Sequence, residues 1–310
     1  MTSIRRWKAE MQEVVIAAPG VRDLVGESPV WDARSGWLYW VDIIGRVIRA
    51  LEPATGATRM LETPDFPTAI GLCQTPGQAV VAFAAGVALV DMDTGAVTPF
   101  VTLPGEPDGN RLNEGSVGPD GAFWVGTMQT NLNPDGSMRE MDRSSGAFYR
   151  VGPDRSVQRV TDPCFGITNT LAWDVARGRM YLGDTLAQSL FATDWPVNDV
   201  EPAPLRPHCA VTTDGYPDGS CIDEDGYLWN ARYAGRCLLR IAPTGEVDSR
   251  ILMPAENITA CCFGGPDLST LYVTTAANQL SEDMLSNPCE GALLAFEPGV
   301  RGPASYLFGV

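Results

Sequence analysis

The sequence predicts an all-β fold, and within that class a six-bladed β-propeller. Turn signals recur every 8 to 12 residues, among them ARSG, PATG, GPDG, ARGR, DEDG and APTG. Between them lie short alternating or apolar runs rich in Val, Leu, Tyr, Trp and Phe, such as WLYWVD, AFWVGTM, RMYLGD and LYVTT. Short strands at this spacing belong to sandwiches, barrels or propellers. An internal repeat then decides among them. Its copies open near residues 27, 69, 113, 169, 218 and 260. A period in the forties with several strands per unit marks a propeller blade.

The clearest copies read GESPVWDARSGWLYWVD, NEGSVGPDGAFWVGT, NTLAWDVARGRMYLGD and DGSCIDEDGYLWNAR. AIGLCQTPGQAVVAF and ACCFGGPDLSTLYVT are weaker, with Ala69 and Ala260 at the register where the others carry Glu27, Asn113, Asn169 and Asp218. The expected unit is residues 1–310 as a single propeller domain, with 1–23 as a lead-in whose VVIAA pairs with the last blade and closes the ring. Closure removes exposed sheet edges. Helical periodicity is confined to short turns near 3–13 and 280–286. The long third unit carries a polar insertion at about 129–145, expected to be a surface loop of the kind that covers binding sites.

Composition narrows the partners. The net charge is −16, which disfavours nucleic acid and anionic membrane surfaces. No apolar run is long enough for a membrane helix, and the N-terminus lacks the apolar core of a secretory signal. Eight cysteines form no C-x-x-C pair and read as reduced thiols of a cytoplasmic protein, monomeric or a small homo-oligomer. His208 is the only histidine, so a histidine-based triad would have to use it, and zinc sites built on His or Cys are excluded. Its place in RPHCA suggests an outer strand or loop and a structural role.

Equivalent positions on the innermost strands of a propeller share one ring around the channel. Glu27, Asn113, Asn169 and Asp218 then offer two carboxylates and two amide oxygens to one point, a donor set suited to a hard divalent cation. Each of them alone caps a β-turn as readily as it binds a metal. Their common register favours the site.

The motifs GESPVW, RLNEG followed by GPDGAFWVGTM, ITNTLAWD, YPDGSCIDEDGYLWNAR and TACCFGGPDLSTLYVTTA resemble the senescence-marker-protein/regucalcin/gluconolactonase family, closest to its bacterial sugar-lactonase branch. The resemblance runs from about residue 24 to 296. It implies a six-bladed propeller with one divalent metal ion (Ca²⁺, Zn²⁺, Mn²⁺, Mg²⁺ or Fe²⁺) at the top of the channel, and hydrolysis of a small-molecule sugar lactone. It implies Glu27, Asn169 and Asp218 as metal ligands, with Asp218 also the catalytic proton carrier. Arg111, Asn113 and Asn131 would lie beside the substrate. Without the resemblance, Arg111 is equally a turn or surface salt-bridge residue.

Three departures from the family pattern carry expectations. Glu114 replaces the usual Asp and is expected to affect only turn packing. Thr170 replaces the usual Gly after Asn169 and is expected to narrow the pocket. Gln129-Thr130-Asn131 stands where some members carry an acidic residue, which bears on sugar specificity. The competing functions are a calcium-binding regulatory propeller without turnover, and a scaffold propeller without metal.

Overall fold

The computed structural model describes residues 8–197 and 204–309. They form six sheets of four antiparallel strands each, running outward from an inner strand, two of them extended by one parallel strand. The inner strands are Gly26–Asp32, Pro67–Cys73, Asn110–Val117, Thr168–Asp174, Tyr216–Ile222 and Asn257–Gly264. Each packs against the next, and the sixth packs against the first, closing a six-bladed β-propeller. We number the blades 1 to 6 in that order.

The hydrophobic residues separate into six clusters, one at each blade interface. Trp124 and Phe148 of blade 3 meet Leu171 and Trp173 of blade 4, and Trp229 of blade 5 meets Phe263 of blade 6. Alternation along each strand sends one set of side chains to each neighbouring blade, so both faces are apolar and the interfaces are continuous. The D-x-x-G turns expected from the repeat are capped by their own aspartates. Asp32, Asp120, Asp174 and Asp223 accept backbone N–H bonds from residues two or three positions on.

Ring closure uses the N-terminal segment as VVIAA suggests. Val15–Ile16 pairs antiparallel with Leu294 and Ala295 and supplies the outer strand of blade 6. Lys8–Met11 is a strand paired parallel with the outer edge of blade 5, not the helical turn expected around 3–13; residues 1–7 lie outside the described set. A single turn of 3-10 helix at Met284–Ser286 matches the second helical expectation. The C-terminal Leu307–Phe308 pairs parallel with the inner strand of blade 2, and Ser305 Oγ donates to Trp31 O at 2.9 Å. This tail covers one end of the channel beneath a small cavity of about 130 Å³. No helix among the described residues is long and apolar enough to cross a membrane.

The 129–145 insertion joins the second and third strands of blade 3 as a largely exposed loop. Gln129 anchors its return. The Gln129 Oε1 accepts from the Asp142 and Arg143 backbones, and Nε2 donates to Asp142 Oδ1 at 2.8 Å. His208 lies in the outer strand of blade 4, its ring tilted against Tyr181 at a centroid distance of 4.7 Å, with burial holding its imidazole below the usual range. The cysteines are free thiols; Cys221 and Cys261 approach to 3.4 Å inside the channel, and Cys164 is exposed.

Candidate active site

Each inner strand carries a β-bulge, and the bulge builds the site. The pairing slips between Glu27 and Val30, Pro67 and Ala69, Leu112 and Gly115, Asn169 and Leu171, Pro217 and Ser220, and Ile258 and Ala260. A bulge bends its strand and redirects one side chain. Aligned on these slips, the ring that holds Glu27, Asn113, Asn169 and Asp218 is completed by Thr68 and Thr259. Ala69 and Ala260 belong one position further down the channel. The sequence register was off by one in those blades because both inner strands are continuous apolar runs without a visible bulge.

Glu27, Arg111, Asn113, Asn131, Asn169 and Asp218 all line one cavity of about 280 Å³ at the end of the channel opposite the tail. Thr185, Tyr216, Tyr233, Thr259 and Asn278 join them. Thr259 was findable from the bulge register. Tyr216 opens the blade-5 inner strand, and Thr185, Tyr233 and Asn278 come from loops and a second strand whose positions no repeat pattern marks.

The polar side chains at the cavity floor hold one another. Arg111 Nη1 donates to Leu112 O and to Asn113 Oδ1, both at 2.8 Å, while Nε and Nη2 reach Asn131 Oδ1 at 3.3 and 3.0 Å. Arg111 is therefore a fixed group of the site and not a surface ion-pair residue. Asn113 Nδ2 donates to Thr168 O at 2.8 Å and faces Asn169 Oδ1 at 3.4 Å. Asn169 Nδ2 donates to Thr185 Oγ1 at 2.8 Å, which leaves its carbonyl oxygen turned toward Asn113. Burial lowers the Arg111 guanidinium to about 10, against the pull of Glu27.

Glu27 and Asp218 complete the floor. Burial first, then the negative charges of Asp218 and Glu114, raise the Glu27 carboxyl well above the usual range. Burial and Glu114 do the same to Asp218. Among the described residues neither carboxylate forms an ion pair. Two desolvated carboxylates with an amide oxygen, faced in the cavity by the single guanidinium of Arg111, form a donor set that fits a divalent metal ion, whose charge would offset the repulsion.

Two expectations are corrected here. Thr170 does not line the cavity and does not narrow it. It is fully buried at φ 59°, and its Oγ1 donates to Asp218 O at 2.7 Å and lies 2.8 Å from Ser220 Oγ. Its hydroxyl is directed toward blade 5 because the bulge turns the backbone there. Glu114 is not a turn residue. It sits on the blade-3 bulge and lines the lower cavity, where burial raises its carboxyl to about 7.

Two aspartates at the ends of second strands shape the cavity mouth. Asp42 accepts from the backbones of Leu24, Val25 and Gly45, and Asp184 accepts from Gly166, Ile167, Leu186 and Ala187. Val25, Ile44, Ile167 and Leu186, which line the cavity, are next to or among these tethered residues.

Comparison with known proteins agrees with the fold. Residues 25–277 match the family model described as SMP-30/Gluconolactonase/LRE-like region. Regucalcin of Xenopus laevis is 32% identical over 288 residues, covering 92% of this chain and 94% of that one. The 6-deoxy-6-sulfogluconolactonase of Pseudomonas putida is 31% identical over 303 residues, covering 96% and 99%. The crystal structure of a calcium-binding protein, regucalcin, from Agrobacterium tumefaciens superimposes with a TM-score of 0.86 at 26% identity, covering 97% of this chain and 100% of that one. The chain belongs to the SMP-30/gluconolactonase/LRE-like family.

Proposed function

We propose that the protein is a lactonase that opens a small sugar lactone with one divalent cation held by Glu27, Asn169 and Asp218. The observation that carries this is the meeting of two buried carboxyls with a fixed guanidinium, Arg111, in one cavity. A site that only stored an ion needs no guanidinium beside it. The family relatives that are lactonases support the same chemistry.

When bound, the cation would polarise the lactone carbonyl and make a water more acidic. Arg111 is held by Asn113 and Asn131, with N–H capacity remaining on Nη2 for a lactone oxygen. Asn131 Nδ2 is free to orient the ring substituents. Asp218 takes the proton of the attacking water and delivers it to the ring oxygen as that oxygen leaves. The new C–O bond comes from water, the acyl C–O bond of the ring breaks, and the product is a hydroxy acid. The negative field of the protein (net charge −16) favours release of that anion.

The test is lactone opening followed by pH-stat in protein stripped of metal and reconstituted ion by ion, alongside Asp218→Ala and Glu27→Ala. Turnover is expected only with metal and is expected to be lost in both variants, with the β-sheet spectrum kept. Full activity after chelation, or in Asp218→Ala, overturns the proposal. A second reading, calcium binding without turnover, is favoured by the description of the Agrobacterium neighbour as calcium-binding. It predicts tight ion binding and no hydrolysis across the same lactones.

A further inference from the structure

The mouth of the cavity differs in character from its floor. The charged residues that line the cavity are Glu27, Arg111 and Asp218, all at the floor. On the side of blades 1, 3 and 4 the wall is aliphatic, with Ile43, Ile44, Leu132, Met138, Ile167 and Leu186, whereas Tyr216, Tyr233, Asn278 and Gln279 stand on the side of blades 5 and 6. Leu186 is 52% exposed and Met138 39% exposed, although both are large and apolar. Apolar side chains scattered singly on a surface need no explanation, but these gather at one opening.

The wall is built. Asp184 tethers the backbone on either side of the opening at Ile167 and Leu186. Gly166 makes room for Leu186, since a Cβ there would lie 2.7 Å from the Leu186 Cβ. From the facing side the 129–145 loop brings Leu132 and Met138, and its Gly136, at φ 86°, packs so closely on Ile44 that a Cβ would lie 3.3 Å from the Ile44 Cγ2. Arg46 donates to Pro134 O and holds the loop over blade 1.

The polar groups of the floor are largely engaged, leaving one Arg111 Nη2 hydrogen and the Asn131 Nδ2 for the lactone ring itself. Four Arg111 contacts, the Asn113 amide and the Asn169 amide are engaged within the floor, and Thr185 Oγ1 donates to Pro217 O at 2.8 Å. A hydroxyl buried against the aliphatic wall would lose water without gaining a partner. An anionic substituent there would meet no second cation.

Resting on the lactonase reading, we propose that the preferred substrate is a neutral lactone whose exocyclic arm is deoxy or alkyl, lying against Ile44, Leu132, Met138 and Leu186. The ring and its carbonyl face Arg111 and the carboxylates. The arm points to the mouth. This separates the chain from a relative named for a sulfonated lactone, 6-deoxy-6-sulfogluconolactonase.

The test compares kcat/KM of the metal-loaded protein on lactones with one common ring and three arms: hydroxymethyl, methyl and carboxylate. The methyl arm is expected to be favoured over hydroxymethyl by about 10-fold or more, and the carboxylate arm to be the poorest. Leu186→Ser and Met138→Gln, both at exposed positions that tolerate a polar side chain, are expected to shrink the methyl preference at least threefold. Equal or better turnover of the hydroxymethyl lactone, unaffected by either variant, overturns the substrate proposal and leaves the lactonase reading standing. Absence of turnover on all three arms in metal-loaded protein overturns the lactonase reading and this proposal with it.

Discussion

Thr170 Oγ1 donates to the carbonyl oxygen of Asp218 at 2.7 Å, across the seam between blades 4 and 5. A β-branched residue at φ 59° is strained, and such a conformation persists only where its surroundings hold it. Here the strained residue ties the backbone of one proposed ligand, Asp218, to the residue directly after another, Asn169. Two blades thereby fix one ligand geometry.

Thr170→Val keeps the shape and removes the hydroxyl. Asp218 O retains a second bond from Asn230 Nδ2 at 3.1 Å, so the stability loss in urea unfolding is expected to be modest, about 1 kcal/mol. Metal affinity is expected to fall further than that figure implies, by about tenfold, because a ligand displaced slightly coordinates poorly. Unchanged affinity in calorimetric titration would show that the seam contact does not position Asp218.

Metal binding should release protons. In the cation-free protein, burial first and then neighbouring carboxylates, Asp218 and Glu114 for Glu27 and Glu114 for Asp218, keep both protonated above the usual carboxylate range. Ligation requires both to ionise, so apparent affinity rises with pH until they are ionised without help. Calorimetry near neutral pH in buffers of different ionisation enthalpy is expected to give different heats. Identical heats in all buffers would contradict the raised carboxyls.

Glu114→Gln tests the buried acid below the floor. The folded carboxyl titrates at about 7 against an ordinary 4.5. As pH rises, the unfolded chain loses this proton first, so the folded state becomes progressively less stable between about 4.5 and 7, and the cost is complete above 7. The cation-free variant is therefore expected to match wild type near pH 4 and exceed it at pH 8, by up to about 3 kcal/mol. Equal denaturation midpoints at both pH values would count against it.

Arg111→Lys preserves the charge but not the planar fork that engages Leu112, Asn113 and Asn131. A loss of about 100-fold in kcat/KM is expected, with a smaller change in metal affinity. Steady-state kinetics and metal titration on one preparation separate the two effects. A variant with wild-type kinetics would remove Arg111 from the substrate side.

Much of this was legible from residues alone. Strand and turn alternation named the class, and the repeat period named the number of blades, because each blade must present the same apolar faces to its neighbours. Glu27, Asn113, Asn169 and Asp218 stood out because a polar residue at an otherwise apolar inner position recurs in register. Thr68 and Thr259 were missed because a bulge inserts a residue without changing composition. The Glu114 and Thr170 expectations failed for the same reason: the bulge decides which way a side chain leaves the strand.

Arg111 and Asn131 entered through the family resemblance, whereas the sequence pattern by itself determined the architecture, the acidic charge and the four ring side chains Glu27, Asn113, Asn169 and Asp218. These follow from local periodicity, composition and repetition, which are properties of the chain in one dimension. Only the tertiary structure decided which groups face the cavity, which are already engaged, and that one side of the mouth above the polar floor is aliphatic. Those facts depend on loops from separate blades converging over one opening. Ile44, Leu132 and Leu186 share no spacing or motif, and become neighbours only when the ring closes.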